Sequence, residues 1–384
     1  MPRPKPVRSV QGTGFTAIRS TVRRLCLRQR QSNNHMTLND LLNKLKAAKH
    51  PEDIFGDDLD ETYRELAKVV HPDRHKTKAA KAQAEDGFKE LGRWHAMAKE
   101  KVKHGHWGDR TWMSPITLAT KKHIYTLTRH LPGGDIANVY AGTEKRTRVD
   151  DLSVAVKVCR NPVNNDLLNN EHEILSYLWN EAKTKDLKAM AHIVKFHESM
   201  ELTVGPVRKR VNVCHLAAGY YTLAEVKAAY PNGIDLRDAA WMFNRLLGAL
   251  LVIQQAGVVH NACLPDHILI HPEKHNAMLC GWSYATRGSV PAKAIVLRRM
   301  GLYASELLDK KPTTTATDLF MAAKSLLWVI DPGTIPRNVA GLFKSCLLTQ
   351  RARAQDPWAL FKEFGAELEK AFGPKKFREF KMPA

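Results

Sequence analysis

The chain is short of the residues that would place it in several common classes. Its 384 residues include six cysteines, Cys26, Cys159, Cys214, Cys263, Cys280 and Cys346, and no two form a Cys-x-x-Cys pair. That excludes zinc-ribbon and dithiol-exchange motifs, and scattered single thiols fit a reducing cytoplasm. Cys263 and Cys280 lie near His260 and His267 but without the ligand spacing of a zinc site, so no metal is expected there. Long apolar runs are also missing. The longest, Leu246 to Val259, is interrupted by Gln254, Gln255 and Gly257, too short for a bilayer, and no membrane partner is expected. No internal repeat occurs.

Acidic residues are absent from residues 1–38, which carry eight basic ones: Arg3, Lys5, Arg8, Arg19, Arg23, Arg24, Arg28 and Arg30. Residues 39–113 are nearly balanced, with 15 basic and 14 acidic side chains, and residues 114–384 hold 36 and 25. The net charge of +20 is therefore uneven, concentrated at the start and spread thinly later. Residues 1–35 read as a basic leader expected to be disordered; organelle transit peptides and nucleic-acid-binding arms share its composition. A nucleic-acid partner through this leader is the less favoured reading. Met36, directly after it, is a second candidate start.

Beyond the leader the chain is patterned. Leu38, Leu41, Leu42 and Leu45, then Tyr63, Leu66, Ala67 and Val70, then Phe88, Leu91, Trp94 and Met97 recur at helical spacing, and Pro72 stops the second helix. Residues 105–115, with Trp107, Gly108 and Trp112, read as a linker. From Ile116 short β-rich runs take over: Ile124 to Thr128, Val139 to Ala141, Val154 to Val158, Ile193 to Phe196 and Val211 to Leu216. A helix from about Leu167 to Ala182 interrupts them, and from Leu236 the chain is helical again. The fold class is α+β and multidomain: leader 1–35, helical domain 36–104, linker 105–115, two-lobed domain 116–372 and C-terminal tail 373–384.

The segment Tyr63-Arg64-Glu65-Leu66-Ala67-Lys68-Val69-Val70-His71-Pro72-Asp73-Arg74 resembles the second helix and loop of J-domains, which stimulate ATP hydrolysis by DnaK-type chaperones. The resemblance implies chaperone contacts at Tyr63, Arg64, His71, Pro72 and Asp73. The chemistry suits a docking tip: Pro72 ends the helix in a rigid turn and Asp73 presents an acceptor for an arginine fork. The second helix departs from the family in charge, since Asp57, Asp58, Asp60, Glu61 and Glu65 outnumber Arg64 and Lys68. Attraction to an acidic chaperone surface is weakened accordingly.

From Leu131 onward the chain resembles a protein kinase over about two thirds of its length. Leu131 to Tyr140 occupies the place of the glycine-rich loop, with Gly134 as the matching glycine and Pro132 and Ala137 at the other two positions. Lys157 in Val154-Ala155-Val156-Lys157 and Glu171 fit the phosphate-contacting lysine and its helical partner. Gly134, Lys157 and Glu171 are thus the cofactor-contact candidates. In His260-Asn261-Ala262-Cys263-Leu264-Pro265-Asp266-His267, Ala262 stands at the catalytic aspartate position and His267 at a magnesium-binding asparagine position. In Leu279-Cys280-Gly281-Trp282-Ser283, Gly281 replaces the second magnesium ligand. Magnesium needs hard oxygen ligands, and these positions offer none. Asp266 and His267 are the compensating candidates for a base. Ala304-Ser305-Glu306 and Thr317-Asp318-Leu319-Phe320 resemble structural kinase segments, the second carrying the aspartate that anchors the catalytic loop. The segment from Tyr284 to Tyr303 is basic, through Lys293, Arg298 and Arg299.

These residues imply a cytoplasmic J-domain co-chaperone whose pseudokinase domain binds a protein client and recruits a DnaK-type chaperone. It would require no cofactor and bind ATP weakly, without magnesium. The competing readings are an unorthodox ATP-dependent kinase or transferase, and a basic nucleic-acid-associated factor.

Overall fold

The computed structural model describes residues 36–56, 58–147, 149–184, 188–348 and 356–383, and the chain divides into two compact units at Ser114 and Pro115. The basic leader and Asp57 lie outside the described residues.

The first unit is built on three helices, α1 (Leu38–Ala47), α2 (Leu59–Val69) and α3 (Lys78–Lys103). Each starts at a side chain able to accept a free first-turn N–H: Thr37, Asp58 and Thr77 accept from the backbone of Asp40, Glu61 and Ala80. Leu41, Leu45, Leu66, Val70, Leu91, Trp94 and Ala98 form the buried core. Val70, at the end of α2, faces Gly87 on α3, whereas Asp60, at its start, meets His95 and Lys99, so α2 and α3 run antiparallel. Part of the expected linker belongs to this unit. Trp107 packs against its core, the Gly108 N–H donates to Glu52 at 3.0 Å, and Trp112 stacks on His104 and His106. Residues 112–115 are strand rather than linker, because β1 begins at Trp112.

A six-stranded sheet follows, with a first strand that crosses the division between the units and the rest in the second: β1 (Trp112–Ala119), β2 (Ile124–Leu131), β3 (Ala137–Glu144), β4 (Leu152–Cys159), β5 (Phe196–Val204) and β6 (Val207–His215), in the order β1-β2-β3-β4-β6-β5. The strand expected from Ile193 starts only at Phe196; Ile193 forms an isolated bridge to Leu279 instead. Period-two alternation sends Val154 and Val156 into a core with Tyr125, Leu127, Val211 and Val213, which leaves Lys157 on the opposite face. That face receives α4 (Asn165–Thr184). The sheet is strongly curled: Tyr125 on β2 donates its hydroxyl to Glu198 on β5 at 2.7 Å, although β3, β4 and β6 lie between them.

The helical lobe is organised by α6 (Leu236–Gln255), apolar on most sides and therefore central, against α8 (Thr315–Val329), α9 (Arg337–Cys346) and α10 (Pro357–Phe372). Between β6 and α6 lie β7 (Tyr221–Thr222) and α5 (Leu223–Ala229). Beyond α6 come the short strands β8 (Val258–Val259), β9 (Ile268–His271), β10 (Asn276–Leu279) and β11 (Thr286–Arg287), then α7 (Ser305–Leu308). The expected tail at 373–384 is part of this lobe over its described residues. Phe380 is buried in the core, and Arg378 forms a two-point ion pair with Asp238 at 2.8 and 3.0 Å. Among the described residues no helix is long and apolar enough to cross a membrane.

Gly142 shows how tightly the sheet is drawn. It sits opposite a bulge in β2, and a Cβ there would lie 2.2 Å from the Thr126 carbonyl oxygen, a backbone atom that cannot step aside alone. Gly142→Ala is expected to destabilise the second unit by about 1–3 kcal/mol, the usual range for overpacking, read as a lower urea midpoint. An unchanged midpoint would show that β2 and β3 separate without cost.

Candidate functional site

In the first unit the candidate residues gather at the tip between α2 and α3. Pro72 to Arg74 form a single 3-10 turn capped by His71, whose Nδ1 accepts from the Asp73 N–H at 3.4 Å. The side chains of His71 and Asp73 are 50% and 86% exposed; the His71 ring meets Phe88 edge-on, with centroids 6.1 Å apart, and its Nδ1 lies 3.7 Å from the Asp73 carboxylate. Tyr63 stacks on His95 at 4.1 Å and is partly buried, while Arg64 is exposed. The acids of α2 are partly used within the unit. Asp58 caps the helix, and Asp60 pairs with His95 and Lys99 at 3.0 and 3.1 Å.

In the second unit Lys157 and Glu171, the pair that the kinase resemblance implied, meet with Nζ 2.5 Å from Oε1. Glu171 is fully buried, and it also accepts from Asn212 Nδ2 and the Trp282 N–H, each at 3.1 Å. Burial pushes its carboxyl toward the neutral form, but Lys157 and these donors win and hold it below its usual range. For Lys157 too, burial opposes the charge and Glu171 overcomes it, raising the ammonium's pKa.

The segment after β8 is held by Asp318. Its carboxylate accepts from the backbone N–H groups of His260 at 2.7 Å and Asn261 at 2.9 Å, which fixes the turn that presents Ala262. Asn261 adopts a left-handed φ of 61° and donates Nδ2 to the Tyr284 carbonyl and the Thr286 hydroxyl. His260 accepts at Nδ1 from the Ala262 N–H, so Nε2 carries the proton and donates to the Cys280 carbonyl at 3.1 Å. Burial depresses its pKa to about 3.

His267 and Gly281 are one packing unit. Nδ1 of His267 lies 3.0 Å from the Ala262 carbonyl, and its ring occupies the space above Gly281, where a Cβ would meet Cδ2 at 2.5 Å and Cγ at 2.6 Å. Gly281 also has φ 77°, a conformation side chains disfavour. The two positions expected to hold magnesium ligands are thus filled by an imidazole against bare backbone. Asp266, the other candidate base, is not free. Arg299 grips it through two hydrogen bonds at 2.6 and 3.1 Å, and Arg298 reaches both Asp266 and Asp135 at 3.5 and 3.4 Å. Burial alone would raise its carboxyl, but the two guanidinium groups lower it.

Gly134 lies in the turn between β2 and β3 with open space where its Cβ would point. The glycine with a steric reason is Gly133, where a Cβ would lie 2.8 Å from the Arg160 guanidinium and 3.0 Å from the Ala137 carbonyl. Asn212 and Asn170 were missed from sequence, and Asn170 donates to the carbonyls of Ser283 and Ala285. A lone buried asparagine carries no periodic signal, although Asn170 directly precedes Glu171.

Two outcomes are expected. Gly281→Asp should cost about 1–3 kcal/mol through overpacking, and adding His267→Ala should recover part of that loss, a positive coupling in a double-mutant denaturation cycle. Additive losses would mean the ring does not set the space at 281. The second outcome concerns pH. Desolvation raises Asp318 from 3.8 to about 7 despite its two backbone donors, so its contribution is full below pH 3.8 and is lost as pH rises toward 7. His260, depressed from 6.5 to about 3, works oppositely: its contribution is full above pH 6.5 and is lost on acidification. Asp318→Asn removes only the first, so its stability should fall more steeply than the wild type's between pH 7 and 4 in urea titrations. Parallel curves would contradict the raised carboxyl.

No family model and no curated protein matches the chain. Among solved structures 1985 chains match, so the fold is a common one. One of them is the structure of vaccinia related kinase 3, at 14% sequence identity and a TM-score of 0.52, covering 67% of this chain and 92% of that one. Identity at that level speaks to fold and not to activity. The chain carries a protein-kinase-like fold.

Proposed function

We propose that the chain is a two-part adaptor: residues 36–104 act as a J-domain toward a DnaK-type chaperone, and residues 116–372 act as a pseudokinase that holds a protein client. The observation that carries this reading is the 71–73 loop. It places His71 and Asp73 in solvent at the tip of two antiparallel helices, where an arginine-bearing partner can reach the carboxylate. The client-binding half rests on the second unit keeping its scaffold contacts, Lys157 to Glu171 and Asp318 to the 260–261 backbone, while Ala262 and Gly281 carry no acid. Phosphoryl transfer depends on positioned metal and carboxylate groups, and their replacement removes orders of magnitude in rate. An unorthodox transferase would need Asp266 or His267. The first is gripped by Arg299, and the second is partly buried with Nδ1 on the Ala262 carbonyl and its ring packed over Gly281. Nucleotide binding, if retained through Lys157, is weak and indifferent to magnesium. The five described cysteines form no disulfide with one another, in keeping with a reducing cytoplasmic setting.

The test is steady-state ATP hydrolysis by a DnaK-type chaperone with the full chain added. Several-fold stimulation is expected, and His71→Gln and Asp73→Asn should each remove it while the helical circular-dichroism signal stays unchanged. Stimulation that survives both substitutions would reject the chaperone half. Incubation with labelled ATP should leave the chain and generic protein substrates unlabelled. Incorporation that disappears in Asp266→Ala or His267→Ala would instead favour the transferase.

A further inference from the structure

Three side chains from separate parts of the curled sheet converge at one end of it, away from the Lys157 contact. His123 stands immediately before β2, Glu144 ends β3, and His197 is the extra residue at the β5 bulge between Phe196 and Glu198. A bulge re-aims the inserted side chain, and here it turns His197 toward Glu144. His123 Nδ1 lies 2.7 Å from Glu144 Oε1 and His197 Nε2 lies 2.9 Å from Oε2, and the three candidate donor atoms all fall within 4.8 Å of one another. Glu144 is nearly fully buried, and the histidines are partly so. Two imidazoles and a carboxylate, gathered on three strands that are not all neighbours, are a costly grouping for packing alone.

A second observation points the same way. His197 Nε2 is buried and makes no hydrogen bond, although a carboxylate oxygen is 2.9 Å away. A buried polar atom left without a partner calls for an explanation, and a cation between the nitrogen and the carboxylate supplies one.

We propose that His123, Glu144 and His197 bind one divalent transition-metal cation of the zinc class, which pins the curled end of the sheet. Nitrogen and oxygen donors sit about 2.0–2.1 Å from zinc, so tetrahedral donors are about 3.3 Å apart. Reaching that arrangement requires His123 and His197 each to draw back from Glu144 by about half an ångström and the two rings to approach each other by up to about 1.5 Å. The partial exposure of His123 leaves room for water at a fourth position. The donor set disfavours magnesium and calcium, which take oxygen ligands, and suits zinc, cobalt or nickel.

Arg146 competes for the same carboxylate, with its guanidinium 3.3 Å from Glu144 Oε2. The ion must displace that contact. Nearby, Glu198 is already occupied by the Tyr125 hydroxyl at 2.7 Å, so it serves as a fixed neighbour rather than a ligand.

The experiment uses the full chain stripped with chelator and titrated with Zn2+ alone by calorimetry, with Co2+ absorption as a report on tetrahedral coordination. One tight ion per chain is expected, with a rise in melting temperature. His197→Ala and Glu144→Gln should each weaken binding at least about tenfold and abolish the cobalt bands. Arg146→Ala keeps every ligand and should bind several-fold more tightly. It decides the matter if a ligand variant fails to fold. No tight site in the wild type, equal binding by the ligand variants through others of the 17 histidines, or unchanged affinity in Arg146→Ala would overturn the proposal.

Discussion

The buried carboxylate of Glu171 is the point on which the second unit depends. One side chain on α4 receives a lysine from β4, an asparagine from β6 and the backbone N–H of Trp282, so the sheet, the helix and the turn after β10 share a single acceptor. A charge this deep is tolerated only because each partner is present. Removing one leaves the others facing an uncompensated ion, which is why broken buried pairs cost several times more than surface ones. The contact also joins lobes. Trp282 follows Gly281, so whatever sits at the lower edge of the cleft is registered against the sheet through Glu171.

Around that anchor the cleft has become a packed and paired structure. The ring of His267 lies where a side chain at 281 would have to be, and the left-handed backbone of Gly281 suits the arrangement. The acid that remains nearby, Asp266, is neutralised by Arg299 and Arg298, and Arg298 also reaches Asp135 in the turn between β2 and β3. The basic stretch between Tyr284 and Tyr303 therefore acts in part as an internal clamp, in addition to forming surface.

The first unit shows the opposite economy. Among its described residues Asp58 caps a helix and Asp60 pairs across two, whereas the carboxylate of Asp73 stands largely in solvent. The acidity of α2 is therefore smaller in effect than its count of carboxylates, because Asp60 is paired with Lys99.

Helix starts at Thr37, Asp58 and Thr77, the stop at Pro72, the alternation in β4 and the apolar faces of α6 were all decided by the sequence, because caps, turns and periodicity act over a few residues. The resemblance of the sequence to protein kinases also pointed to the pairing of Lys157 with Glu171 and to Asp318 as the anchor of the 260–261 turn. Tertiary structure alone decided the rest. The capture of Asp266 by Arg299, 33 residues away, the steric dependence of Gly281 on His267 and the seating of Arg378 on Asp238 each join segments with no local pattern between them. The meeting of His123, Glu144 and His197 needs still more: a bulge in β5 and a sheet curled enough to bring far strands together. No period in a sequence encodes a curl, because it is the summed twist and closure of six strands and is set only when all of them pack.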